Sequence, residues 1–117
     1  MQKVYHLSTC DTCKRIIRDI EIPSSFATQD IKKNEVTAKQ LEEMHALSGS
    51  YEVLFSRRAK LYKERNLKDE KLLERDFKSL ILEHYTFLKR PVFIHNEEIF
   101  IGNSKKTVEA ARNSIKS

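Results

Sequence analysis

Two cysteines, Cys10 and Cys13, are the residues whose type and spacing best suit covalent chemistry, and the chain contains no others. They form a Cys-x-x-Cys pair between the apolar segment 4–7 and the segment 16–20, whose isoleucines recur at helical spacing. The pair is therefore predicted to lie on a turn from a strand into a helix. The unpaired N–H groups and partial positive charge of a helix N-terminus favour a thiolate at that place.

Positive side chains next to the pair point to the same chemistry. Lys14 and Arg15 follow Cys13 directly, and neighbouring cations lower the pKa of a thiol. Cys10 is then the nucleophile, and Cys13 is the resolving thiol that attacks a mixed disulfide or a sulfenic acid on Cys10. The alternative for Cys13 is a small buried hydrophobic residue at the start of the helix. The three-residue spacing favours the redox interpretation.

The small number of cysteines argues against two other uses of such a pair. A disulfide-stabilised secreted domain needs more cysteines, and a structural zinc site usually takes four ligands in two local pairs. The histidines His6, His45, His84 and His95 do not supply the second pair. We therefore expect no metal site and no bound cofactor, with zinc as the weaker alternative. We interpret His84 and His95 as structural.

Length and composition predict a single domain over residues 1–117 and a cytoplasmic location. Of the 117 residues, 39% are hydrophobic and 33% are charged, which is typical of a globular protein with a well-solvated surface. No apolar run approaches the roughly 18 residues of a membrane span. The first residues lead straight into a strand-like segment that is too short for a signal peptide.

The net charge of +5 favours anionic partners in general. The basic residues are mostly interleaved with Asp and Glu, and no known nucleic-acid module is present. Solvated helix faces are therefore a better explanation of this charge than direct binding to DNA or RNA.

The order of predicted elements indicates an α/β protein with a mixed sheet. A strand over 3–7, a helix over 11–20 and a strand over 25–30 come first. A capping box at Thr37 and Gln40 opens a helix that Gly49 closes, and a helical turn over 51–55 and a long helix over 68–84 follow. Strand-like runs at 90–94 and 99–101 form a hairpin, and a helix capped by Asn103 and Ser104 ends the chain.

Three short motifs resemble one known family. These are Tyr5-His6 four residues before Cys10, Glu83-His84, and the run from Leu88 through Lys89-Arg90-Pro91 to Val92. Together with the order of elements, they resemble the thioredoxin-fold family that contains ArsC-type arsenate reductases and Spx-type regulators, over essentially the whole chain. Tyr85 stands where the family pattern has proline. The resemblance implies a thioredoxin-like fold, a mixed four-stranded sheet flanked by helices with a helical insertion.

The resemblance also implies roles for individual residues. Cys10 falls at the position of the family's nucleophile, and Arg90 at the position of an arginine whose planar guanidinium suits an oxyanion. Pro91 falls at the position of the fold's cis-proline. His6 matches a histidine of the reductases that could tune the thiol, although a hydrogen-bonded structural histidine fits as well. Arg58 matches an arginine of the Spx proteins.

Departures from the arsenate reductases concern the oxyanion site. Ser56 and Gly102 stand where the glutaredoxin-linked reductases carry further arginines. Cys13 stands where those reductases have no cysteine. These positions resemble Spx or the arsenate-reductase-like relatives with a Cys-Asp-Thr signature.

Two functions from different classes follow from the resemblance. The first is a cytosolic thiol-dependent reductase that acts on a small oxyanion or a disulfide, with glutathione and glutaredoxin or thioredoxin as the electron donor. The second is an Spx-like redox-sensing regulator that binds the α subunit of RNA polymerase. Because the chain ends directly after its last predicted helix, the reductase is favoured.

Overall fold

The computed structural model describes residues 1–117, which form two compact units. The first comprises Met1–Asn34 and Arg90–Ser117, and the second comprises Glu35–Lys89. The assignment of the whole chain to one domain stays a prediction. The elements follow in the order β1 (Gln2–His6), α1 (Asp11–Ile20), β2 (Ala27–Asp30), α2 (Ala38–Ser48), α3 (Lys60–Glu64), α4 (Glu74–Glu83), β3 (Val92–His95), β4 (Glu98–Ile101) and α5 (Lys105–Lys116).

The first unit contains a mixed four-stranded sheet in the order β2-β1-β3-β4. Strands β1 and β2 pair in parallel, whereas β1 with β3 and β3 with β4 pair antiparallel. The predicted mixed sheet, the hairpin and the helix over 11–20 are confirmed. The hairpin turn is shorter than predicted, because both strands continue to its two central residues and Asn96 takes the positive φ of 58° that such a turn requires.

Helices α1 and α5 pack against one face of this sheet. The register places Val4 opposite Phe93 and Phe93 opposite Phe100, so their side chains share that face. Ile16 and Ile20 of α1 and Ala111 of α5 are buried in the same cluster. This packing holds the N-termini of both helices beside one edge of the sheet, where Cys10 lies.

The second unit is helical, as the prediction of a helical insertion requires. Thr37 and Gln40 form the predicted capping box, and Gly49 ends α2 with a φ of 81°. Phe55 is fully buried, and its ring lies 5.0 Å from that of Phe77 and 5.3 Å from that of Phe87 between centroids. These rings form an aromatic core for the unit.

The prediction of one helix over 68–84 is wrong. A 3-10 turn at Leu67–Asp69 is followed by extended backbone, and α4 starts only at Glu74. The Asp76 carboxylate accepts a hydrogen bond from the Leu73 N–H at 2.8 Å, which caps the helix there. The prediction failed because leucines recur at helical spacing on both sides of this break. Helix α3 was not predicted, because its five residues are too short to show a clear period.

None of these helices has the length and apolar character needed to cross a membrane.

Candidate active site

One edge of the sheet brings together groups that are far apart in the sequence. Because β1 and β2 are parallel, their C-terminal ends meet there, and the antiparallel β3 begins at the same edge. The loop from Leu7 to Cys10 leaves β1 at this edge, Asp30 ends β2, and Arg90 precedes β3. The candidate site is therefore assembled from three separate segments of the first unit.

Cys10 is the N-cap residue of α1, as the sequence pattern predicts. Its backbone is extended, with φ −97° and ψ 109°, and its carbonyl oxygen accepts from the Lys14 N–H at 3.1 Å. The Cys10 N–H donates to the Leu7 carbonyl oxygen at 3.0 Å, which fixes the loop. The Cys10 side chain is half-buried and lies at the positive end of the helix.

The pKa of the Cys10 thiol is lowered from its ordinary value. Desolvation raises the pKa, but hydrogen bonds from the backbone and the thiol of Cys13, the charge of Arg90 and a backbone hydrogen bond from Thr12 together outweigh this burial. All of these groups stabilise the thiolate more than the thiol. Cys10 is thus the more nucleophilic sulfur of the pair at neutral pH.

Cys13 has the opposite environment. It is 1% exposed, and burial, followed by its hydrogen bond with Cys10 and the negative charge of that thiolate, raises the pKa of Cys13 to about 12. Cys13 therefore stays a protonated donor to Cys10 while Cys10 is a thiolate. Both cysteines are free in this structure, so the arrangement is that of a reduced dithiol.

Arg90 and Pro91 approach the pair from β3. The Arg90–Pro91 peptide bond is cis, and Pro91 is buried. The charge of Arg90 lowers the pKa of both cysteines, which places the guanidinium within electrostatic reach of the sulfurs. The predicted role of Arg90 as an oxyanion ligand stays a prediction.

Gly102 lies beside Pro91 at the end of β4. Its N–H donates to the Pro91 carbonyl oxygen at 2.9 Å, and its φ is 93°. A residue with a side chain is strained at such a φ. The backbone at this edge therefore favours glycine, and no side chain reaches the site from this position.

His6 is half-buried and is the register partner of Asp30. Its backbone carbonyl oxygen accepts from the Ile31 N–H at 2.9 Å. The charge of His6 contributes to a lowered pKa of Asp30, so the imidazole lies close to that carboxylate. A role of His6 in tuning Cys10 stays a prediction.

Sequence reasoning missed Asp30. Its Oδ1 accepts from the backbone N–H of Ser8 at 3.4 Å and of Lys32 at 3.2 Å, and its Oδ2 is buried without a hydrogen-bond partner. The Ser8 side chain is the main cause that holds the pKa of Asp30 below its ordinary value, although desolvation opposes it. Asp30 thus ties the cysteine loop to the end of β2. The strand–helix–strand order of the first 30 residues implies that the first two strands pair in parallel, and this pairing could have placed Asp30 beside the cysteine loop.

Replacing Asp30 by alanine is expected to loosen the cysteine loop. The N–H groups of Ser8 and Lys32 lose their acceptor, so their amide hydrogen exchange should accelerate roughly tenfold, as expected for the loss of a hydrogen bond to a charged group. NMR-detected exchange measures this directly. Asp30→Asn keeps a side-chain oxygen, so its exchange rates should lie between those of the wild-type protein and those of Asp30→Ala. Equal exchange rates in all three proteins would contradict the positioning role.

Arg58 and Ser56 belong to the second unit. Arg58 is exposed, and its neighbour Arg57 forms an ion pair with Glu52, 2.7 Å between Nη2 and Oε2. The Ser56 N–H donates to the Phe87 carbonyl oxygen at 2.8 Å. The role of Arg58 in substrate binding stays a prediction.

The titratable side chains form no group suited to a metal ion. No three His, Cys, Asp or Glu side chains lie close enough together to act as ligands. The site is a dithiol beside an arginine.

Comparison with known proteins gives a consistent result. Residues 5–111 match the sequence model of the ArsC family. The global transcriptional regulator Spx 2 of Bacillus anthracis is 27% identical over 105 residues, which cover 87% of this chain and 79% of that protein. The family resemblance seen in the sequence is thereby confirmed.

Two solved structures show the shared architecture. Arsenate reductase from Vibrio cholerae superposes with a TM-score of 0.75 at 18% identity, over 97% of this chain and 98% of that chain. An arsenate reductase related protein from Brucella melitensis gives 0.69 at 21% identity, over 93% and 92%. At these identities the likeness is one of fold alone, and it confirms the predicted thioredoxin-like fold.

Proposed function

Because the chain belongs to the ArsC family, we propose that it is a thiol-dependent reductase in which Cys10 is the nucleophile and Cys13 the resolving thiol. The observation that carries this proposal is the opposite environment of the two sulfurs. One pKa is lowered and the other is raised to about 12. A chain that used Cys13 only as a hydrophobic residue would not need its thiol to hydrogen-bond to Cys10.

The proposed cycle has two steps. The Cys10 thiolate attacks one sulfur of a substrate disulfide, the S–S bond breaks, and the leaving thiolate takes up a proton. Cys13 then loses its proton and attacks Cys10 in the mixed disulfide, which releases the second substrate thiol. The substrate disulfide is reduced to two thiols while the protein dithiol is oxidised to a Cys10–Cys13 disulfide.

The same pair could reduce a small oxyanion. Cys10 would attack the central atom and displace one oxygen as water, while Arg90 would bind the remaining oxygens through its forked donors. Cys13 would then attack Cys10, which breaks the bond from sulfur to the central atom, releases the oxyanion reduced by two electrons and leaves the Cys10–Cys13 disulfide. Arsenate is the oxyanion suggested by the reductases among the structural relatives. Gly102 carries no side chain for a further contact, so a disulfide is the favoured substrate and arsenate the second.

An external thiol must regenerate the dithiol in either case. We propose glutathione with glutaredoxin, or thioredoxin, as this donor. A cytoplasmic location is part of the proposal, because reducing systems keep free thiols reduced there.

A second candidate function rests on a different observation. The curated relative that is 27% identical is a transcriptional regulator, and the predicted Cys10–Cys13 disulfide would suit a redox sensor. In this candidate, oxidation changes a surface that binds the α subunit of RNA polymerase. The two functions differ in whether the disulfide turns over or persists as a signal.

NADPH-coupled turnover distinguishes them. The purified protein is supplied with arsenate or with 2-hydroxyethyl disulfide, in separate assays with a glutathione–glutaredoxin system and a thioredoxin system. We expect disulfide-dependent NADPH oxidation above the background of each donor system alone. The matched control is Cys10→Ser, which should give only that background.

Absence of turnover with both substrates and both donors would contradict the reductase. In that case the reduced and the oxidised protein are compared for binding to purified RNA polymerase α subunit by size-exclusion chromatography. Redox-dependent binding would establish the regulator, and no binding in either state would exclude it as well.

A further inference from the structure

Lysines gather at the edge of the sheet that carries the thiols. Lys32 and Lys33 follow the end of β2, and Lys105 and Lys106 form the first turn of α5. We call these four residues the lysine rim. Parallel pairing of β2 with β1 and the antiparallel register of β4 bring both pairs to the edge where Cys10 lies.

The lysine rim is not explained by stability. All four side chains are exposed, and none of their ammonium groups lies within ion-pair distance of a carboxylate. Lys105 and Lys106 occupy a helix N-terminus, where the helix dipole disfavours cations and where α5 has no acidic residue in its first turn. Their placement costs helix stability rather than adding to it.

In the first unit, the balance of charged residues differs between the two ends of the strands. Lys14, Arg15 and Arg90 add to the positive charge at the thiol edge, where the carboxylates are Asp11, Asp30 and, one turn into α5, Glu109. At the opposite edge, cations are mixed with carboxylates; the charged residues there are Lys3, Arg18, Asp19, Glu21, Glu97, Glu98 and Lys116. Within the first unit, basic residues therefore outnumber carboxylates at the thiol edge but not at the opposite edge.

Distances make this field relevant to Cys10. Neighbouring strands lie about 4.8 Å apart, so β2 and β4 flank β1 by about 5 and 10 Å. The Debye length is about 8 Å at physiological salt, which is of the same order as this spacing between the strands. Fields of this kind raise the local concentration of an oppositely charged reactant and its rate of association.

We propose that the lysine rim selects disulfides whose flanking groups are negatively charged, such as a disulfide between acidic peptide segments. This inference rests on the proposed thiol reductase activity and names its class of substrate. The reaction is unchanged: Cys10 displaces one anionic thiol, Cys13 displaces the other, and the protein dithiol becomes the disulfide. The rim acts on the approach of the substrate and not on the bonds that change.

Three small disulfides of different charge test the proposal. Dithiodipropionate is anionic, 2-hydroxyethyl disulfide is neutral and cystamine is cationic. The full-length Cys13→Ser protein stops at the mixed disulfide with Cys10, so the rate is followed as a mass increase after acid quenching. Each rate is divided by the rate at which dithiothreitol, an uncharged thiol, reduces the same disulfide. This ratio removes the intrinsic reactivity of each disulfide.

We expect the normalised rate to fall about tenfold from the anionic to the cationic disulfide at about 0.02 M salt, and to level out at about 0.5 M salt. Lys32→Gln/Lys33→Gln and Lys105→Gln/Lys106→Gln, each in the Cys13→Ser background, should each reduce this preference. Arg18→Gln/Lys116→Gln removes the same net charge at the opposite edge and should leave it unchanged.

Three results would overturn the inference. Equal normalised rates for the three disulfides would contradict charge selection while leaving the reductase intact. A preference that the opposite-edge control reduces as much as the rim variants would show an effect of net charge and not of the rim. Failure of Cys10 to react with any of the three disulfides would remove the proposed function and this inference together.

Discussion

Replacing Cys10 by serine is expected to abolish NADPH-coupled disulfide reduction, with a loss of at least about 10³-fold. A serine hydroxyl stays protonated at neutral pH and cannot displace a thiolate from a disulfide, because the thiolate is the reactive species. Cys13→Ser should act differently. With a stoichiometric amount of 2-hydroxyethyl disulfide, it should accumulate a mixed disulfide on Cys10 that mass spectrometry detects.

The contrast between the two variants is the informative part. Wild-type protein treated in the same way should lose two hydrogens and gain no adduct, since Cys13 releases the second thiol. An adduct on Cys13 in the Cys10→Ser protein would reverse the assigned roles. A stable adduct on the wild-type protein would show that Cys13 does not resolve the intermediate, which favours its alternative role as a buried hydrophobic residue.

The rates at which iodoacetamide alkylates the two sulfurs should rise in widely separated pH ranges. The pKa of Cys10 is lowered from its ordinary value, whereas that of Cys13 is raised to about 12. At pH 7, Cys13 is then almost entirely protonated. We expect Cys10 to be modified at least about 100 times faster, with its rate reaching a plateau at a lower pH than for an ordinary cysteine. Peptide mapping across pH 5 to 10 measures both.

Arg90 provides the direct test of the cause. Its positive charge lowers the pKa of both thiols, so Arg90→Met removes that stabilisation and the Cys10 midpoint should rise. Alkylation at neutral pH should slow by about threefold to tenfold, and the rate at high pH should be unchanged. Arg18→Met removes a charge from the last turn of α1 and serves as the matched control. A midpoint that does not move in Arg90→Met would contradict the assignment.

The two thiols must be ionised at different stages of the reaction. Cys10 needs to be ionised before it meets substrate, and the helix N-terminus, Arg90 and the Cys13 thiol each favour that state. Cys13 needs to remain neutral until Cys10 is in a mixed disulfide, when the thiolate beside it has been consumed. Loss of that negative charge, which had raised the pKa of Cys13, makes its deprotonation easier at the moment when it is required.

Several features of the fold could be predicted because their causes are local. The helix over 11–20 has three regularly spaced isoleucines, and the Thr37–Gln40 capping box and Gly49 are signals of the helix ends themselves. The break before Glu74 could not be predicted in this way. Its cause is an Asp76 side chain that caps the helix, in a segment where the leucine period continues without interruption.

The sequence by itself determined the reactive group and its immediate setting, Cys10 at the start of a helix with Cys13 one turn along. Helix periodicity, capping and the chemistry of cysteine act over a few residues, so they can be predicted from the sequence. Only the tertiary structure decided what surrounds that group. Asp30 and the lysine rim reach the thiol edge through parallel and antiparallel pairing between strands distant in sequence, as does Arg90, which the family resemblance had already indicated. Burial by that packing separates the pKa values of the two cysteines.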